Sequence, residues 1–507
     1  MSEHLMVALG NVFDPVNFLF LAVGVAAGII VGALPGLTAT MALALLVPFT
    51  FTMEPGMALM VLGGVYVGAI YGGCIAAILI NTPGTPSAIA TTFDGYPLTK
   101  KGKAEHALVT AAFSSGIGGI FGAIVLLLLT PLLAEVALKF GPPEYFWLAV
   151  FGLTIIATLS TGSMLKGLMG GAFGVLLSTI GIAPIGGDMR FTFGFHQLQA
   201  GVELIVALIG FFCIPEVLLM VERKFNRYGS VTYKPQKGVA KSVILELLRK
   251  PVLLLRSSVI GCFVGIVPGA GGNIAALVSY NEAVRFAKNK SKFGTGTIDG
   301  VAAAEAANNS EVGGSLVPLL SLGIPGAAPA AVILGALMLQ GLRPGPELFS
   351  VFGGITYTFL ISLIFANVVM FVLGFYGSRH IARLINLSPN LLAPMIVFLT
   401  VIGSFAIRNN MLDVSIMVFF GLVGYLTKKM GFHPGPICLG LILGPILENG
   451  LVQSMLLGKA TGSMFHVFFT RPISMVLIVL SLVSVTLPAI ASLRAWNQER
   501  KGGVSTA

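Results

Sequence analysis

The feature that most restricts this chain is a series of Pro-Gly breaks inside apolar sequence, met in the same order in its two halves. One pair is Gly28-Ile-Ile-Val-Gly32-Ala-Leu-Pro35-Gly36 and Gly261-Cys-Phe-Val-Gly265-Ile-Val-Pro268-Gly269. The next is Asn81-Thr82-Pro83-Gly84 and Gly323-Ile324-Pro325-Gly326. The third sets Gly174, Gly181 and Pro184 against Gly424, Gly431 and Pro434. Separations of 233, 242 and 250 residues, drifting slowly, mark a duplication. Proline and glycine interrupt a helix, and broken backbone at membrane depth survives only where protein or water satisfies it. Such breaks at matching places in two apolar halves point to the central site of a transporter.

That reading needs a membrane, and composition supplies it. Of 507 residues, 56% are hydrophobic and 10% charged, far below the roughly 25% charged of a soluble domain. Stretches such as Val16–Leu34, Ile117–Leu133, Tyr357–Phe375 and Ile473–Leu493 are long enough to span hydrocarbon and do not alternate as barrel strands would. The expected fold class is therefore an all-α polytopic membrane protein. Two inverted-topology repeats of about seven spans each, with discontinuous helices, are followed by one C-terminal helix.

The net charge of +10 concentrates at Arg223–Arg256, Arg285–Lys292 and Arg494–Lys501. That pattern marks cytoplasmic loops, and no nucleic-acid motif accompanies it. Counting from an N-terminal segment without Lys or Arg, spans are expected near Val16–Leu34, Thr38–Phe51, Ala107–Pro131, Phe146–Leu159, Leu165–Pro184 and Gly201–Val221. A broken element fills Met57–Thr92. An odd number of crossings puts the second half in the opposite orientation. Only Arg343 and Arg408 fall on the unexpected side. The domains expected are 1–222 and 257–467 for the repeats, 223–256 for a basic loop with an amphipathic helix over Lys241–Leu255, and 468–507 for a C-terminal helix and basic tail. The four cysteines read as small buried hydrophobes, and no metal site is expected.

The residues that could carry chemistry cluster at the breaks. Asn81, Thr82, Thr85 and Ser87 put donors and acceptors beside the freed backbone of Pro83-Gly84. A helix restarting after Pro86 would offer unpaired N–H groups to an anion. Pro325 and Gly326 form the matching break, and Asn273 follows a Gly-Ala-Gly-Gly turn that lets backbone approach a ligand. The expected anion site is Thr82, Gly84, Thr85, Ser87, Asn273, Pro325 and Gly326. Asn308, Asn309, Ser310 and Glu311 form a polar cluster too dense for an apolar stretch unless it is functional or a solvated turn. With Asn81 and Thr82 they make the expected cation site. Hard oxygens suit Na⁺; if the ion is H⁺, Glu311 or Glu305 carries it. No enzyme motif such as His-Glu-x-x-His is present, so an intramembrane enzyme and an ion channel stand only as rivals.

At these residues the chain resembles the large membrane subunit of the tripartite tricarboxylate transporters. The resemblance lies in Gly32-Ala-Leu-Pro35-Gly36-Leu-Thr38, Tyr71-Gly72-Gly73, Phe93-Asp94-Gly95-Tyr96-Pro97-Leu98, Val267-Pro268-Gly269, Glu305-Ala-Ala-Asn308-Asn309 and Gly341-Leu342-Arg343-Pro344-Gly345-Pro346. It implies a bacterial inner-membrane, cation-coupled importer of small di- or tricarboxylates, not an enzyme. Its partners would be a small membrane subunit and a periplasmic solute-binding protein, with Na⁺ or H⁺ as coupling ion, no other cofactor, and room for an oligomer. Where some citrate-type members carry Gly-Leu-Gly-Pro, this chain has Gly36-Leu37-Thr38-Ala39-Thr40, so the resemblance speaks for the carboxylate class more than for citrate.

Overall fold

Among the described residues eight helices are long and apolar enough to cross a membrane, which makes this a multi-pass, all-α membrane protein. The computed structural model describes residues 2–159, 164–222, 238–384 and 389–502. The first half holds α1 (Ser2–Phe13), α2 (Pro15–Ala33), α3 (Ala39–Thr50), α4 (Pro55–Ile80), α5 (Ile89–Lys100), α6 (Ala104–Ala137), α7 (Pro142–Leu159), α8 (Met164–Ser178) and α9 (Leu204–Glu222). A two-stranded hairpin, β1 (Gly181–Ile182) and β2 (Met189–Arg190), precedes α9. The second half holds α10 (Val239–Leu248), α11 (Pro251–Ile266), α12 (Gly271–Phe286), α13 (Ile298–Leu322), α14 (Ala328–Leu339), α15 (Pro346–Ser350), α16 (Gly353–Leu384), α17 (Pro389–Arg408), α18 (Met411–Lys429) and α19 (Pro434–Thr461). Then come α20 (Met464–Phe469) and α21 (Pro472–Gly502).

Glycine decides which helices touch. Gly24, Gly28 and Gly32 of α2 rest on the backbone of α4 at Val61, Val65 and Ala69, leaving no room for a Cβ. The contact positions advance together, so the two helices run parallel. In the second half Gly261 and Gly265 of α11 rest in the same way on Ala307 and Glu311 of α13. Gly118 and Gly122 of α6 rest on Ala306 and Ser310 of α13, again in parallel. Small residues permit this approach where no hydrophobic force separates helix from lipid.

Helices α4 and α13 each end in a backward turn rather than the mid-helix break expected. Asn81 takes left-handed backbone at the end of α4 (φ 56°), as Gly323 does at the end of α13 (φ 76°). The chain then re-enters the protein. The Gly84 amide donates to the Gly73 carbonyl, and the Gly326 amide to the Ser315 carbonyl, both at 3.1 Å and both eleven residues back. A 3-10 turn, Pro86–Ala88, leads into α5, which descends beside the end of α4; there the Thr99 hydroxyl donates to the Ile78 carbonyl at 2.8 Å. Asp94 of α5 accepts from the Gly296 and Thr297 amides at the start of α13 (2.7 and 3.0 Å) and from the Tyr280 hydroxyl of α12 (2.9 Å). The end of α4 and the start of α13 therefore lie together, and the two helices run in opposite directions. Packing is exchanged between halves: α3 meets α14 and α5 meets α12, α4 meets α16 and α6 meets α13, α1 meets α16 and α6 meets α10.

Several expectations change. The crossing placed over Thr38–Phe51 is α3, 12 residues, or about 18 Å of helix against roughly 30 Å of hydrocarbon. The N-terminal segment is itself a helix, α1, and Asp14 caps the next one by accepting from the Val16 and Asn17 amides at 3.0 Å each. The amphipathic helix expected over Lys241–Leu255 is α10, ended before Pro251; its Val243 and Leu247 are buried with Val109 of α6 and Ala302 and Ala306 of α13, so protein covers its apolar face. Residues 223–237 of the basic loop lie outside the described residues. Arg408 forms a two-bond pair with buried Asp413, each bond 3.1 Å, so no bare charge sits at that position.

Compact units cut across the sequence halves. One comprises Met1–Ala137 and Leu208–Tyr425, the other Leu138–Ala207 and Leu426–Ala507. Within the second, α8 and α19 meet at Gly174 and Gly440, each against the other helix's backbone. Buried Glu144 there is fully engaged by Arg471 (2.8 Å), the Gly141 amide (2.8 Å) and Ser474 (3.0 Å). All four cysteines are buried and free.

Candidate substrate and ion site

The site lies in the first unit, where the re-entrant turn of one half meets α12 and α13 of the other. Going down α13, Glu305, Asn308, Glu311 and Ser315 follow at helical spacing of three or four and form one slowly turning stripe. All four are buried, Glu311 to 1% exposure and the rest to 0%. From the first half, Thr85 and Ser87 point their hydroxyls at each other at 3.1 Å, also buried. Gly272, in the first turn of α12, closes the group. A Cβ built on it would lie 2.7 Å from Asn308 Oδ1, 3.0 Å from Ser87 Cβ and 3.5 Å from Glu311 Oε2. Glycine is required here because any side chain would occupy the space on which these groups converge.

The two carboxylates differ. Glu305 is pinned: Thr91 of α5 donates to one oxygen and Ser115 of α6 to the other, the latter at 3.0 Å. Asn309 continues this network, its amide donating to Ser115 Oγ at 2.8 Å and to the Glu305 carbonyl at 3.2 Å. By contrast Glu311 Oε1, Asn308 Oδ1 and Asn309 Oδ1 are buried without a hydrogen-bond partner. Buried polar groups are normally satisfied, so a concentration of unsatisfied ones calls for a ligand or a function.

The expected site residues divide accordingly. Ser87, Asn308 and Glu311 come together around Gly272, and Thr85 joins them through Ser87. Asn309 joins them through the Glu305 network. Asn273 is half-buried in the next position of α12. Asn81 and Thr82 do not join: Asn81 is exposed at the end of α4, and the Thr82 hydroxyl turns to the Ile80 carbonyl at 3.4 Å. They sit where α13 begins, whereas Asn308 lies nearly three turns further along α13. Ser310 faces α11 and donates to the Ser258 carbonyl at 2.7 Å, a helix-to-helix tie. The Gly84 and Gly326 amides, expected to bind an anion, are taken by carbonyls, and the Gly326 carbonyl accepts from Gly269 at 2.7 Å. Asn308–Glu311 is no solvated turn but mid-helix and buried.

Sequence reasoning missed Thr91 and Ser115, which hold Glu305, and Tyr66 of α4, whose hydroxyl pairs with Ser315 Oγ at 3.0 Å. Each lies in an unremarkable apolar stretch, and no local signal marks it. Among the described residues no Lys, Arg or His forms an ion pair with Glu305 or Glu311, and no group of three metal-ligating side chains occurs.

A polytopic helical membrane protein with two re-entrant turns and a buried, partly unsatisfied polar stripe between them belongs to the class of membrane transporters. Residues 18–439 match the model of the tripartite tricarboxylate transporter TctA family, and the chain belongs to that family. It is 35% identical over 493 residues to an uncharacterised 52.8 kDa protein from the TAR-I ttuC' 3' region of Agrobacterium vitis, covering 97% of each chain. It is also 34% identical over 235 residues to an uncharacterised protein from the TAR-II ttuC' 3' region of the same organism, covering 46% of this chain and 96% of that one. No solved structure matches the chain.

Proposed function

We propose that this chain is the large inner-membrane subunit of a cation-coupled importer of small di- or tricarboxylates. It takes its substrate from a periplasmic solute-binding protein and works with a small membrane subunit. The observation that carries this reading is the meeting of the Thr85–Ser87 turn with Asn308 and Glu311 across Gly272. It brings polar groups of opposite halves to one buried place, as alternating access between two repeats requires. Hydroxyls at the start of α5 suit carboxylate oxygens, since the first turn of a helix carries unpaired N–H groups and a positive dipole end.

An inverted arrangement is supported by the opposed directions of α4 and α13 and by the exchanged packing. Charge agrees: α1 and Asp14 carry no Lys or Arg, whereas α10 and its end carry Lys241, Arg249 and Lys250. Both helices open their halves, so they should lie on opposite faces of the membrane. In a cysteine-free background, Met6→Cys should react with an impermeant thiol reagent from the periplasm and Lys241→Cys only from the cytoplasm. Both positions are exposed. Labelling of both from one side would refute the inversion.

Substrate class is tested by uptake of radiolabelled succinate, malate and citrate into proteoliposomes holding this chain and its small subunit, with the binding protein supplied outside. Accumulation of one of them against its gradient is expected, and ohmic current without accumulation would favour a channel. Thr85→Ala/Ser87→Ala should raise the apparent KM about 10- to 100-fold, the loss of charge-assisted hydrogen bonds worth about 1.5–3 kcal/mol. Unchanged kinetics in the double variant would move the anion elsewhere.

A further inference from the structure

Glu311 differs from every other buried acid described above. Asp94, Glu144, Glu305 and Asp413 all have hydrogen-bonded partners; Glu311 Oε1 has none. Among the described residues no Lys, Arg or His on the elements packed against α13 forms an ion pair with Glu311. Lys250, just before α11, pairs with Asp299 (2.6 Å) and Glu246 (2.8 Å). Arg256 lies over the Phe286 ring, Arg285 pairs with Glu282, and Lys100 of α5 lies over the Tyr96 ring. Helices α4 and α14 contain no charged residue, and α6 brings Ser115, with Glu105 and His106 in its first turn. The titratable side chains that face Glu311 are Tyr66 of α4 and Cys262 of α11, neither a cation. A carboxylate taken this far from water without a counter-charge needs a cation or a proton.

The surroundings favour a cation. Asn308 Oδ1 is a neutral hard oxygen, wholly buried and without a donor. It and Glu311 Oε2 both lie within 3.5 Å of the one point that Gly272 leaves open. A proton would sit on Glu311 and reach the amide oxygen through at most one O–H···O bond, whereas Na⁺ takes both kinds of oxygen as ligands at once. Ser87 borders the same point, its Cβ 3.0 Å away. A di- or tricarboxylate seated on Ser87 would therefore face an ionised Glu311 across a water-poor gap, where like charges repel strongly.

We propose that Glu311 and the Asn308 amide oxygen hold the co-transported Na⁺, and that neutralisation of Glu311 is what admits the carboxylate to Ser87. Coupling is then an order of binding: ion first, anion second. Glu305, held by Thr91 and Ser115, is a positioning residue and carries no ion. This rests on the transporter reading above and assigns its ion step.

Proteoliposomes as described above, loaded with unlabelled citrate, malate or succinate, are assayed for exchange and for gradient-driven accumulation. In the wild type, exchange should need Na⁺. In Glu311→Gln, which is permanently neutral, exchange should persist without Na⁺ while Na⁺-driven accumulation is lost. Glu305→Gln should keep the Na⁺ dependence of the wild type. Gly272→Ala, whose methyl would fill the convergence point, should raise the Na⁺ concentration for half-maximal exchange at least 10-fold. A measurement independent of transport is binding of ²²Na⁺ to the purified wild-type protein, displaced by unlabelled Na⁺ but not by K⁺ and weakened at least 10-fold in Gly272→Ala. Glu311→Gln that still requires Na⁺, a wild type driven by a pH gradient alone, or ²²Na⁺ binding unaltered by Gly272→Ala would each overturn the assignment. A wild type that moves no carboxylate under any gradient would instead overturn the transporter reading.

Discussion

Gly84→Ala and Gly326→Ala should each abolish transport and lower the thermal unfolding midpoint of the detergent-solubilised protein, and by similar amounts. A methyl on Gly84 would strike the Gly32 carbonyl and lie 2.9 Å from Gly73 Cα; one on Gly326 would strike the Gly265 carbonyl and lie 2.7 Å from Ser315 Cα. These are backbone atoms of packed helices, so no rotamer change relieves the clash. Overpacking of this kind costs about 1–3 kcal/mol and sometimes more. The amide bonds to Gly73 and Ser315 would be strained at the same time, because they set how deep each turn re-enters. Equivalent losses at the two positions would show that both turns serve the same purpose. Full transport in either variant would show that its turn can withdraw without consequence. Control substitutions belong at Gly102 or Gly462, where a Cβ meets nothing within 4 Å but the positive φ makes any loss a backbone effect alone.

The second large effect is expected at Asp94. Its two oxygens accept three hydrogen bonds, from α12 and from the segment that opens α13, and thereby clasp one half to the other. Asp94→Ala should cost about 3 kcal/mol or more, since it removes charge-assisted bonds and leaves the buried Tyr280 hydroxyl and two partly buried amides without their acceptor. Asp94→Asn keeps an oxygen for the Gly296 and Thr297 amides, and the Tyr280 hydroxyl can turn to accept from the new amide. It should cost about 1 kcal/mol, near that of one ordinary hydrogen bond. Unfolding midpoints of the three proteins in detergent check the order. An Asn variant as damaged as the Ala variant would mean that the negative charge, and not the hydrogen-bond geometry, holds the clasp.

Much of the architecture was legible because it depends on local rules. Apolar length marks α2, α7 and α9 within a few residues of their ends, and Pro15, Pro251 and Pro434 open helices as proline at a first turn should. Paired Pro-Gly motifs located both re-entrant turns, where Gly84 and Gly326 lie against helix backbone that leaves no room for a Cβ. What they could not tell was depth. A break in a sequence looks the same whether the chain kinks and goes on or doubles back two turns. Only the bonds to Gly73 and Ser315 distinguish these, and their partners lie outside any local pattern.

The same limit divided the site. Density of polar residues in apolar sequence pointed to Asn308–Glu311 and to Thr85 and Ser87. It could not say that Ser310 would turn to α11, that Asn81 and Thr82 would stay at the end of α4, or that Thr91 and Ser115 would satisfy Glu305 and leave Glu311 alone. The sequence by itself determined a membrane-spanning helical chain, the places of two Pro-Gly turns and the residue types gathered near them, because burial in lipid and the chemistry of proline and glycine act residue by residue. Which of two buried carboxylates has partners was decided only by the tertiary structure, because hydrogen bonds form between side chains brought within 3 Å by helices that sequence order keeps about 190 to 210 residues apart.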